Sequence, residues 1–168
     1  MNRKRFLQHT TLTAAGALSF PLLSFANEVT RADGPLPAEK VKEFVSAGHN
    51  NLEKVKTLLA EMPTLIYAAW DLNNGDFETA LEGAGHVGNK EIANYLIERG
   101  ARTNLFVLTM LGKTALVKAF LDLYPQYLTA RGPHGLTLLH HAQRGGEDAR
   151  ELFDYLQMKG LKEMKAAL

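Results

Sequence analysis

The sequence predicts an all-α solenoid of about four divergent helix-turn-helix repeats, on three observations. First, Thr79 to Ala101 reads as a short helix, a tight glycine turn at Gly88, an amphipathic helix and a Gly100-Ala101 stop. Second, the apolar faces of the second helices recur. Val55, Leu58 and Leu59 match Ile92, Tyr95 and Leu96 at a shift of 37, and Ile92, Leu96 and Ile97 match Leu116, Phe120 and Leu121 at a shift of 24. Leu152, Phe153 and Leu156 close the series. Third, the helix stops alternate. The first and third units end at Pro63 and Pro125, the second and fourth at Gly100 and Gly160. A lone helical hairpin cannot bury its apolar face, so such units must stack.

The units run over about 38–68, 69–104, 105–131 and 132–160. Gly135-Leu136-Thr137-Leu138-Leu139-His140-His141-Ala142 carries Gly-x-Thr-x-Leu-His-x-Ala, and Thr79, Leu81 and Ala84 repeat its core. The third unit keeps Thr103 and Leu105, and the first is legible through its second helix. These motifs resemble the ankyrin repeat over about residues 40–160, most closely in the second and fourth units. The resemblance implies that threonine caps the first helix, leucine packs between layers, and alanine lets paired helices approach. It also implies that His140 hydrogen-bonds a neighbouring turn, and that projecting fingers and first helices form a concave binding face.

The linkers between units differ in length. Tyr67 to Phe77 is long, Arg102-Thr103-Asn104 is too short for a finger, and Ala130 to Gly135 is long again. Two fingers are therefore expected to flank a finger-free gap. Trp70 to Glu78 and Gly132-Pro133-His134-Gly135 are similar to segments of exported bacterial ankyrin proteins.

The first 26 residues read as a signal peptide. Arg3-Lys4-Arg5 is a positive n-region, the stretch from Thr11 to Phe25 is mostly apolar and uncharged, and Ser24-Phe25-Ala26 is a cleavage signal. Asn2 to Gln8 resembles the twin-arginine motif, with Lys4 in place of its second arginine. The run is broken by Pro21 and shorter than the roughly 20 residues of a spanning helix, so no stable membrane anchor is expected. The mature chain is expected to be periplasmic or secreted. Residues 27–37 read as a flexible leader, and 161–168 as a cap or tail that forms a last helical turn over the fourth unit.

Cleavage leaves 142 residues, enough for one domain, with 16 basic against 18 acidic side chains. A net charge of about −2 lacks the basic surface that nucleic acid or an anionic membrane requires. The chain has no cysteine, which excludes disulfides, thiol nucleophiles and thiolate metal sites.

Five histidines follow the leader, and none are paired at i, i+4 as in zinc helices. Neighbouring His140 and His141 point apart on a helix, with His141 expected in solvent. The segment Asp71-x-Asn73-x-Gly75 imitates a calcium loop, but Gly75 and Asp76 invert the order that loop needs, and a turn is the expected structure. No catalytic, cofactor or metal residue is assigned, and the chain is expected not to be an enzyme and to work without a cofactor.

The expected function is protein interaction, with a polypeptide partner contacting Trp70, Asp71, Asn73, Glu78, His86, Met110, His134 and Arg144. Trp70 serves either as an interface anchor or as local core beneath its linker. The alternatives are a small-ligand (glycan or peptide) binder using Trp70 as platform, and a hydrolase. The hydrolase requires His134 within reach of Asp71, Asp76 or Glu78.

Overall fold

The computed structural model describes residues 34–167. The signal peptide at 1–26 and the leader as far as residue 33 lie outside the described residues. The chain forms four helical hairpins: α1 (Ala38–Gly48) with α2 (Leu52–Glu61), α3 (Ala80–Val87) with α4 (Lys90–Glu98), α5 (Leu105–Met110) with α6 (Thr114–Leu123), and α7 (Leu138–Gly145) with α8 (Arg150–Met158). Each pair packs together, and the first helices pack in succession, α1 on α3, α3 on α5 and α5 on α7. Among the described residues, no helix is long and apolar enough to cross a membrane.

Polar caps start most of these helices. The Asn51, Thr79, Asn89, Asn104 and Thr137 side chains each accept the backbone N–H three residues on. Thr79 and Glu82 form a reciprocal capping box, and Glu82 also accepts from the Asn104 amide at 2.7 Å, coupling the caps of α3 and α5. Asn104, and not the neighbouring Thr103, caps the third unit.

The apolar repeat is buried as the spacing predicts at Val55, Leu58, Leu59, Ile92, Leu96, Leu152 and Leu156. In the third unit the register is one residue off. Val117 is buried while Leu116 is 61% exposed, so the inward face of α6 is Val117 and Leu121. One apolar cluster joins the first two units to Val107 and Met110 of α5, and a second joins α6, α7 and α8. His141 is not in solvent. It is 1% exposed, because α7 lies between α5 and α8, and its ring sits 5.1 Å from that of Phe106.

The fold is mostly helical with one small addition, an antiparallel hairpin of β1 (Ala69–Asp71) and β2 (Phe77–Thr79), in which Trp70 faces Glu78. Asp71 accepts from the Gly75 amide and closes the turn, so this segment is a turn and not an ion loop. A second projection, Arg131–Leu136, is closed by Gly132 N–H donating to the Leu136 carbonyl. The C-terminal tail covers the fourth unit without making a helical turn. It runs extended, with Thr137 N–H donating to Met164 and Ala166 N–H to Gly135, while Leu161 and Met164 pack on the second cluster.

Candidate functional site

The third unit has no finger and its α5 spans only 6 residues. With nothing projecting between them, α3 contacts α7 directly, and the fingers of the second and fourth units meet. The His134 backbone N–H donates to both Asp76 carboxylate oxygens, at 2.9 and 3.1 Å. Beside that junction lies a groove of about 660 Å³ between Asn73–Phe77 and Arg131–Pro133, with Phe106 and Glu82 on its floor. The gap predicted from linker lengths is this groove, bridged at one side by Asp76 and His134.

Beneath the junction four side chains converge. Glu78 comes from β2, where alternation leaves Phe77 exposed and turns Glu78 inward to 1% exposure. His49 follows α1, with its Nδ1 3.2 and 3.1 Å from the Val45 and Ser46 carbonyls, so Nδ1–H satisfies helix-end acceptors and Nε2 faces the cluster. Gly83 of α3 gives that ring its place, since a Cβ there would lie 2.8 Å from it. His86 is the second-last residue of α3, and His134 sits in the second finger with a left-handed φ of 60°. A positive φ at a residue other than glycine costs backbone energy and tends to mark functional geometry.

The Glu78 carboxylate lies among three imidazoles. Its Oε1 is 2.9 Å from His86 Nδ1 and 3.5 Å from His134 Nε2, and its Oε2 is 3.5 Å from His49 Nε2. The rings stand edge to face in a row, with centroids 4.8 Å (His49–His86) and 5.1 Å (His86–His134) apart. One ligand atom from each of the four residues lies within 4.8 Å of the others. Among the described residues, both Glu78 oxygens and His86 Nδ1 are buried and make no hydrogen bond. The three histidines come together with Glu78 although none of them are paired at i, i+4. Spacing missed the set because its members come from four separate segments. The legible signal was the acidic residue at the inward position of Phe77-Glu78-Thr79.

The expected contact residues separate into two groups. Asp71, Asn73 and Arg144 are exposed, and Trp70 and His134 are half-buried. Met110, Glu78 and His86 are buried, at 0, 1 and 9% exposure, and are corrected as surface contacts. Met110 is part of the first apolar cluster, and Gly145 of α7 packs against its backbone carbonyl. Trp70 has the local-core role. It packs on the first apolar cluster, and it lines a cavity of about 220 Å³ with Lys42, Leu72, His49, Glu78 and His134. His140 reaches a neighbouring unit, its Nε2 lying 2.9 Å from the His86 carbonyl. Burial lowers the affinity of His140 for a proton, and pushes that of His141 down to about 4 against the pull of its bond to the Thr137 carbonyl.

His134 meets the distance condition for a hydrolase, with Asp76 3.4 Å from Nδ1 and Glu78 3.5 Å from Nε2. Carboxylates thus face both ring nitrogens of His134. Comparison with family models, curated proteins and solved structures finds no match to this chain.

Proposed function

We propose that this chain is an ankyrin-repeat binding module of the exported compartment that takes a polypeptide segment in the groove between its two fingers. Support for the repeat assignment lies in the threonine caps of α3 and α7, in buried Leu81 and Leu138, and in Ala84 and Ala142 at the helix contacts. Export rests on Arg3-Lys4-Arg5, the apolar run and Ser24-Phe25-Ala26.

The observation that carries the binding reading is the groove itself. Phe77, 58% exposed on one wall, and Phe106 on the floor offer apolar contact, and exposed Asn73 and Asn74 offer amide donors and acceptors. Aromatic anchors beside side-chain amides suit an extended backbone with alternating apolar side chains. The partner contacts are then Phe77, Asn73, Asn74 and Phe106, with Asp71 at the rim. The test is affinity capture from the native exported fraction on the mature chain and on Phe77→Ala. One polypeptide retained by the parent and lost by the variant supports the reading. Retention indifferent to Phe77 contradicts it.

The cavity beside Trp70 favours a second reading, a small-ligand binder with the indole as platform. Capture lost on Trp70→Ala and kept on Phe77→Ala would favour it.

A further inference from the structure

We propose that His49, Glu78, His86 and His134 form a mononuclear site for a divalent first-row transition metal, zinc above all, that ties both fingers to α1 and α3. The inference goes beyond the groove and stands whether or not the groove takes a polypeptide.

Glu78 is the one carboxylate of the cluster. A carboxylate at 1% exposure with no hydrogen bond to either oxygen is costly unless a cation compensates it. Among the described residues, no lysine or arginine is an ion-pair partner of Glu78; three imidazoles are. Neutral imidazole supplies a lone pair and no positive charge. His86 Nδ1 approaches Oε1 to 2.9 Å and yet makes no hydrogen bond, so the two atoms point at a common space and not at each other. A dication in that space would meet both needs.

The ring orientations are those of metal ligands. A ligating histidine usually donates its second N–H to a carbonyl or carboxylate, which fixes the tautomer. The Nδ1 of His49 faces the Val45 and Ser46 carbonyls, and the Nδ1 of His134 lies 3.4 Å from Asp76 Oδ2. In both residues Nε2 is thereby turned to Glu78. Bonds of about 2.0–2.1 Å in a tetrahedral zinc site place ligand atoms about 3.3 Å apart. From Oε1, His86 Nδ1 and His134 Nε2 lie 2.9 and 3.5 Å away, and His49 Nε2 lies 3.5 Å from Oε2, so each imidazole is near that edge length from one carboxylate oxygen. The widest separation among the four ligand atoms is 4.8 Å, which side-chain rotation on metal binding would have to close.

Three nitrogens, one carboxylate and no sulfur suit zinc and its transition-metal neighbours, while calcium and magnesium ask for oxygen-rich sets. The cavity lined by Trp70 and Lys42 reaches His49, Glu78 and His134 from outside and provides an entry path. Bound there, the ion would join positions 49 and 134 in a chain that has no cysteine for a disulfide. Because the unfolded chain lacks the site, binding would raise stability by mass action.

The test uses the mature chain, free of any purification tag and stripped with chelator, dialysed against zinc ion and assayed for bound metal. Cobalt ion serves as the spectroscopic probe. The expected result is one equivalent per chain, a visible cobalt band of imidazole-rich low coordination, and a higher Tm. Glu78→Gln and His134→Ala should each lower affinity at least about tenfold with unchanged circular dichroism. Asp76→Asn, which touches the ion only through His134, should weaken binding and leave the stoichiometry intact. Absence of stoichiometric uptake by folded parent would overturn the proposal. So would uptake unchanged in the His86→Ala, His134→Ala double variant.

Discussion

The backbone N–H of His134 is bonded to the carboxylate of Asp76 at 2.9 Å, across 58 residues of sequence, and that bond joins the fingers of the second and fourth units. It forms because the third unit carries no finger to hold them apart. The groove lies on one side of the junction, and Glu78 with its three histidines on the other.

Removing the junction should therefore loosen the fingers more than the stack. Asp76→Ala leaves the His134 N–H without its acceptor, and we expect a loss of about 1–2 kcal/mol in denaturant unfolding. Amide exchange should speed up at 131–136 while the amides of α3 and α7 keep their protection. Equal loss of protection throughout would show that the fingers do not move as a separate part.

Phe77→Ala separates binding from stability. Phe77 is 58% exposed and absent from both apolar clusters, so its removal should change unfolding free energy by less than about 0.5 kcal/mol. In the proposed groove it is the exposed aromatic wall. Partner affinity should fall at least about tenfold, as read by calorimetry with the captured polypeptide.

His141 should make the fold acid-sensitive. Burial holds its proton affinity down to about 4, against an ordinary value of 6.5. Between those values the unfolded chain binds a proton that the folded chain refuses, so stability is full above about pH 6.5 and declines toward pH 4. The full contribution is on the order of 3 kcal/mol. Urea midpoints at pH 7 and pH 4.5 should differ in the parent and differ less in His141→Leu, which fills a similar volume and cannot be protonated.

Gly112 should tolerate no side chain. Its φ is +65°, and a Cβ would run into the Asp148 carbonyl where the turn after α5 meets the turn before α8. Gly112→Ala should cost about 2 kcal/mol or more, read as a lower urea midpoint with an unchanged slope.

The helical hairpins were legible in the sequence because caps and apolar periodicity are local. Thr79, Thr137, Val55, Ile92 and Leu152 lie where spacing puts them. Leu116 misled because three adjacent apolar residues, Ala115-Leu116-Val117, allow two registers, and packing selects Val117. The candidate site was legible only in part. Linker lengths show where fingers are and are not, so the groove followed. The convergence of His49, Glu78, His86 and His134 depends on how far the fourth unit leans onto the second, which is a property of packing. Met110 was misplaced for the same reason, since its burial in the first apolar cluster depends on how the units pack. His141 was misplaced because α5 packs over the side of α7 that a lone α7–α8 hairpin would expose.

The most direct test of the account is anomalous diffraction from crystals of the mature chain grown with one equivalent of zinc ion. Since the fingers of the second and fourth units meet over Glu78, a single anomalous peak should lie within about 2.0–2.2 Å of His49 Nε2, His86 Nδ1, His134 Nε2 and a Glu78 oxygen. A chain with zinc only at surface carboxylates, or with His134 turned away from Glu78, would contradict it.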